Sequence, residues 1–162
     1  SVNLGKAELA GDKIPCVWKE DQIVDKPVKI GGKDYRITLV NLGNPHCVVF
    51  SEKVDAVDVA TVGPLFENCE YFPERINAEF IRVVNKVTIK MRVWERGNGE
   101  TWSCGTGAAA AVVAAVLNGY CDRDTNITVK LRGGDLVVNY HSNGEVELMG
   151  SVKTVYEGKF EI

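Results

Sequence analysis

At 162 residues, with 45% apolar and 25% charged side chains, the chain has the make-up of one globular domain long enough to bury a core. Its 19 basic and 22 acidic residues leave a net charge of -3 with no block of like charge, which argues against nucleic acid or an anionic membrane as partner. No apolar run reaches membrane-span length (the longest, 108–117, is short and alanine-rich), and with neither a secretory leader nor an initiating Met the chain is expected to begin inside a longer protein.

The opening Ser1-Val2-Asn3-Leu4-Gly5 reads as a strand entering a turn. Residues 35–50 read strand, turn, strand: YRITLV, NLGNP, HCVVF. Over 55–68 the spacing of Val57, Val59 and Val62 is helical, and Gly63-Pro64 is expected to break it, with a second short helical turn beyond. Two β-branched runs, 78–84 and 87–94, flank Asn85-Lys86 and predict a hairpin. Gly105-Thr106-Gly107 then opens AAAAVVAAVLN, a helix apolar on every side that stops at a C-cap glycine, Gly119. Short strands follow over 127–131, 136–140 and 146–149, punctuated by Gly133-Gly134 and Asn143-Gly144. A helix without a polar face must be surrounded, so the expected fold class is α+β, a strongly curved, barrel-like mixed sheet wrapped around one buried central helix. The last segment, 152–162, is extended, and Lys159-Phe160-Glu161-Ile162 alternates polar and apolar. Such a strand is expected to pair with a neighbouring copy or with an edge of its own sheet, burying Phe160.

Five cysteines (Cys16, Cys47, Cys69, Cys104, Cys121) lack CxxC spacing, which suits a reducing compartment, the cytoplasm, better than a disulfide framework. With only His46 and His141 to join them, no metal site is expected. Each cysteine defaults to a small buried apolar residue, and Cys104 is the exception.

The densest cluster of reactive residues is Trp94-Glu95-Arg96-Gly97-Asn98-Gly99-Glu100-Thr101-Trp102-Ser103-Cys104-Gly105-Thr106-Gly107. The first amides of a helix have no partner within it and bind anions such as a carboxylate, while Gly105 and Gly107 let the anion approach. The same dipole is expected to lower the pKa of Cys104 and make it the fastest of the five cysteines to alkylate at neutral pH, its sulfur facing a cleft. Arg96 offers a second carboxylate clamp. The bland reading makes Cys104 a packed cysteine before a glycine-rich turn. In Gly43-Asn44-Pro45-His46-Cys47, Asn44 is a turn residue or a ligand for substrate carboxylate or ammonium. His46 is a general base or a satisfied core histidine, the latter favoured when it is taken alone, and Cys47 is core. In Pro73-Glu74-Arg75-Ile76-Asn77-Ala78-Glu79-Phe80, Asn77 reads as a turn residue and Glu74-Arg75 as a solvated pair.

GNPH, PERINAEF, WERGNGET and CGTGA, in this order and with the GGDL turn and the closing YEGKFEI, resemble the C-terminal domain of the diaminopimelate epimerase family over nearly the whole chain. Proline racemases and phenazine-pathway isomerases are similar in fold but are not expected to combine all four motifs. The resemblance implies that residues 1–162 are the C-terminal domain of a two-domain, pseudo-symmetric epimerase whose N-terminal domain supplies a second cysteine, with the tail 152–162 belonging with that missing half. It implies that Cys104 is one of the two catalytic cysteines and that Gly105 and Thr106 grip the α-carboxylate of the reacting centre. Asn44, Asn77, Glu95 and Arg96 hold the amino and carboxylate groups of the distal centre, and His46 tunes the site. Trp102-Ser103 departs from the family, which commonly has smaller residues there.

The reaction implied is the interconversion of LL- and meso-diaminopimelate by a two-cysteine proton swap, without pyridoxal phosphate or other cofactor, in lysine and peptidoglycan precursor biosynthesis. The partners implied are the small-molecule substrate and the missing N-terminal half, with a homodimer left open. This half alone is expected to be inactive. The alternatives are a proline or hydroxyproline racemase of the same fold, a hydrolase or acyltransferase with Cys104 as nucleophile and His46 as base, and a binding module without catalysis.

Overall fold

The computed structural model describes residues 1–161; Ile162, the end of the expected tail strand, lies outside them. The elements are β1 (Val2–Lys6), β2 (Lys26–Ile30), β3 (Lys33–Asn41), β4 (Pro45–Phe50), a 3-10 turn (Val54–Ala56), α1 (Val59–Glu67), β5 (Asn77–Asn85), β6 (Thr88–Glu95), β7 (Gly99–Thr101), α2 (Gly105–Leu117), β8 (Asn126–Leu131), β9 (Gly134–Tyr140) and β10 (Glu145–Met149). One mixed sheet has the order β1-β10-β9-β8-β6-β5-β4-β3-β2, with β7 paired to β6. The β4–β5 and β6–β8 pairs are parallel and the rest antiparallel. Glu8, just past β1, exchanges two 2.9 Å backbone hydrogen bonds with Asn41 at the end of β3, so the sheet curls back on itself.

Inside the curve lies α2, packed against β3, β4, β5, β6, β8, β9 and β10. Its residues 107–115 are all buried, and alanine's small side chain lets strands approach from every side, which is why the helix has no polar face. It ends as expected: Gly119, at φ +76°, donates its amide to Val116 O at 3.0 Å, and the Tyr120 amide reaches Ala115 O at 2.9 Å, closing the last carbonyls. A second apolar layer covers the outer face of β2 to β5, where Ile37, Leu39, Val49 and Phe80 meet Phe66 of α1 and Ile14 and Ile23 of the β1–β2 connection. Strands covered on both faces need no polar alternation, which explains the continuous apolar run of β4. Val48 and Ile81 point to α2, whereas Cys47, Val49, Ala78 and Phe80 point outward. By the same alternation His46 and Glu79 face inward.

The β3–β4 and β5–β6 hairpins, α2 and β8 to β10 fall where the sequence places them. Gly63-Pro64 does not break its helix: α1 runs through Pro64. A Cβ on Gly63 would stand 2.4 Å from the Trp94 ring, so α1 docks closely on β6, and that packing carries the helix past the proline. The interruption falls earlier, before Asp58, whose carboxylate caps α1 by accepting the Thr61 amide at 3.2 Å. Strands β2 and β7 were not anticipated. Of the two pairings expected for the tail, the one with its own sheet is not formed among the described residues. Residues 150–161 carry no strand pairing, and Phe160 is 88% exposed instead of buried. The tail leaves from β10, which is already flanked by β9 and β1 and offers no open edge. No helix among the described residues is long and apolar enough to cross a membrane.

Candidate active site

Cys104 occupies the N-cap of α2, as its place before Gly105-Thr106-Gly107 suggests. Its backbone is extended, and its half-buried sulfur accepts the Gly107 amide at 3.3 Å, the role usually taken by a Ser or Asp oxygen. Gly107 is required by crowding. A Cβ there would lie 2.9 Å from Glu79 Oε1 and 3.1 Å from Cys104 Sγ, so these two groups converge on a bare backbone. At Gly105 a Cβ would stand 3.0 Å from Leu148.

A line of polar groups runs inward from the sulfur. Thr106 Oγ1 lies 3.7 Å from Sγ and accepts from Asn44 Nδ2 at 3.3 Å. Asn44 Oδ1 is 3.0 Å from His46 Nε2, and His46 Nδ1 is 2.7 Å from Glu79 Oε1. The β3–β4 turn presents Asn44, with Gly43 at φ +93° as the turn requires. His46 is therefore the satisfied, fully buried histidine of the conservative reading, with Asn44 and Thr106 standing between it and Cys104. Both its nitrogens are engaged, so no Cys–His pair for nucleophilic catalysis is formed.

The charge state of Cys104 corrects the sequence expectation. Burial pushes its thiol up, negative charge on Glu79 and Glu95 would add to that, and the Gly107 amide and Thr106 hydroxyl only partly offset it, leaving it at about 11. Cys104 is a thiol at neutral pH, not an activated thiolate. Burial likewise raises the Glu79 carboxyl, against the lowering influence of His46.

A second group lies around the end of β6. Asn77 is buried; its Nδ2 donates to Pro45 O at 2.8 Å and its Oδ1 accepts the Arg96 amide at 2.8 Å, so it ties β4 to the residue after β6. It is a strand residue rather than a turn residue. Glu95 accepts a short hydrogen bond from the Thr101 hydroxyl, and Arg96 Nη1 donates to Glu74 O at 3.1 Å. Arg75 reaches past its neighbour Glu74 to Glu67, 3.1 Å away. Glu67 also accepts the Trp94 indole N–H at 2.7 Å and the Gly97 amide at 2.8 Å. Burial pushes Glu67 up, but the indole, the amide and Arg75 together hold it below the usual carboxylate range. It anchors the loop carrying Arg96.

The structure thus brings Cys104, Gly105, Thr106, Asn44 and His46 together at the α2 N-terminus, with Asn77, Glu95 and Arg96 at the adjoining end of β5 and β6. Cavities of about 490, 430 and 340 Å³ open elsewhere, and none of the three is lined by these residues. Glu67 and Glu79 are not among the site residues that the sequence suggests. Glu79 carried a signal, an acid within the otherwise apolar start of a strand; Glu67 carried none, since an acid at a helix end usually faces water.

A family model described as diaminopimelate epimerase matches residues 38–155. The diaminopimelate epimerase of Pelotomaculum thermopropionicum is 46% identical over 159 residues, covering 98% of this chain and 56% of that protein. That of Bacillus licheniformis is 42% identical over 163 residues, covering 100% and 57%. The chain spans about half the length of the curated relatives it matches. Among solved structures, a predicted epimerase from Pseudomonas aeruginosa aligns with TM-score 0.52 and 15% identity over 96% of this chain and 58% of its own. A probable proline racemase from Agrobacterium radiobacter aligns with TM-score 0.56 and 11% identity over 77% and 45%. At those identities the likeness is one of fold, and it agrees with the α+β class expected.

Proposed function

This chain belongs to the diaminopimelate epimerase family, and from that premise we propose that it is one half of a cytoplasmic enzyme interconverting LL- and meso-diaminopimelate without pyridoxal phosphate. Residues 1–162 serve as the C-terminal domain of a pseudo-symmetric pair, the other half supplies the second cysteine, and the tail 152–162 belongs with that half.

Inversion requires that the α-proton leave from one face of the carbon and another arrive on the opposite face. Cys104, which holds its proton, is the acid on its face. The opposing cysteine, as thiolate, takes the α-proton; the carbanion then takes the Cys104 proton, leaving Cys104 as the thiolate for the reverse direction. The N–H groups of Gly105 and Thr106 receive the α-carboxylate as charge grows on it. Asn44, Asn77, Glu95 and Arg96 hold the distal amino and carboxylate groups, and His46 tunes the site. The observation that carries the reading is Cys104 at the N-cap of α2, its sulfur accepting the Gly107 amide at 3.3 Å.

The test uses deuterium oxide. The chain with LL-diaminopimelate, alone, should exchange no α-proton; mixed with a separately expressed second-cysteine segment it should exchange, and Cys104→Ala should abolish the effect. Proline, which has no distal amino-acid head, should not exchange. Robust exchange by the chain alone would refute the two-cysteine reading.

A further inference from the structure

Glu79 is fully buried on the inner side of β5, and its Oε2 has no hydrogen-bond partner among the described residues. An ionised carboxylate with an unpaired, desolvated oxygen is costly, and a proton removes that cost. Its Oε1 is aimed at His46 Nδ1, 2.7 Å away. From there the contacts pass to Asn44, Thr106 and the Cys104 sulfur.

Counting protons fixes the direction of this line. If the Glu79–His46 pair holds two, one lies between Oε1 and Nδ1 and the other on Nε2, which donates to Asn44 Oδ1 at 3.0 Å. Asn44 then turns its Nδ2 to Thr106 Oγ1, and the Thr106 hydroxyl proton is left to point at the sulfur. If the pair holds one proton, a carboxylate faces an imidazole with its hydrogen on Nδ1. Nε2 must then accept, Asn44 must flip, and its oxygen draws the Thr106 proton away from Cys104.

We infer that Glu79 is a positioning residue for Cys104: by keeping the second proton on its pair with His46, it orders His46, Asn44 and Thr106 as successive donors that end on the sulfur. The charged and titratable groups facing this line are His46 from β4, Glu79 from β5, Glu95 from β6 and Cys104 before α2, while Cys47 of β4 lies on the opposite face of the strand. The inference rests on Cys104 as the proton-transferring group, but its readouts involve no epimerisation, so the two readings fail separately.

In the 162-residue chain, nitrogen-15 NMR of the His46 ring should find hydrogen on Nε2 near neutral pH. A neutral ring with its hydrogen on Nδ1 overturns the inference, and this measurement needs no variant. Glu79→Met should slow Cys104 alkylation at about pH 8 roughly three- to tenfold, and Thr106→Val should do likewise, since each removes the donor that stabilises the thiolate. The double variant should be no slower than Thr106→Val, and Glu79→Gln, whose amide donates to Nδ1, should restore the wild-type rate. Faster alkylation in Glu79→Met would mean that Glu79 acts as a bare charge, and additive losses would mean that it does not act through Thr106; either result overturns the inference.

Discussion

Two influences compete at the Cys104 sulfur. The amide ends of α2 favour a thiolate, an effect worth about 0.3–1 kcal/mol at a helix terminus. Burial favours the thiol, any negative charge on Glu79 would add to it, and burial wins, leaving the group at about 11. The reactive form in alkylation is the thiolate, whose fraction below the pKa grows with pH. Cys104 should therefore react slowly with iodoacetamide at neutral pH, its rate climbing roughly tenfold per pH unit to about pH 10 without a plateau. Peptide mapping across that range checks this, and a plateau near pH 8 would show an activated thiolate instead. The position of Cys104 was legible because a cysteine before Gly-Thr-Gly and an all-apolar helix has few places to go. Its charge state was not legible, since that is set first by burial under parts of the chain distant in sequence.

The same division holds for whole elements. The β5–β6 hairpin announces itself through two β-branched runs around Asn85-Lys86, and α2 through its unbroken alanines, since both signals are local. For α1 a local signal misled: a glycine followed by proline weakens an isolated helix, yet this one continues because Trp94 of β6 packs against the bare face of Gly63. That contact gives an opposed pair of effects to weigh. Gly63→Ala gains about 1 kcal/mol of helix propensity. The added methyl would sit 2.4 Å from the Trp94 ring and 2.6 Å from its Cβ, and overpacking of that kind costs about 1–3 kcal/mol. Trp94 would also be pushed off its 2.7 Å hydrogen bond to Glu67. The clash should outweigh the propensity, so Gly63→Ala should lose up to about 2 kcal/mol in urea unfolding. A gain in stability would show that Trp94 can yield freely.

At the scale of the molecule, stability resides in two apolar layers on either side of one curled sheet, the inner built on α2 and the outer on α1 and the β1–β2 connection. The wrapped helix could be foreseen from its lack of a polar face. The end of the chain could not, because an alternating KFEI says that a strand has one face to bury but not what it meets. The described residues of the tail, 151–161, are all exposed and unpaired. Val152, Val155, Tyr156 and Phe160 are 98, 88, 85 and 88% exposed, and β10, from which the tail departs, has both edges occupied. A segment that buries no apolar area and pairs no strand adds nothing to the folded state that the unfolded chain lacks. Ending the chain after Gly150 should therefore leave the melting temperature of the 162-residue chain unchanged within about 1 °C in calorimetry. The opposite outcome has a clear meaning. A drop of several degrees that persists on dilution would require the tail to pack on its own domain, and one that vanishes on dilution would show that it pairs between copies.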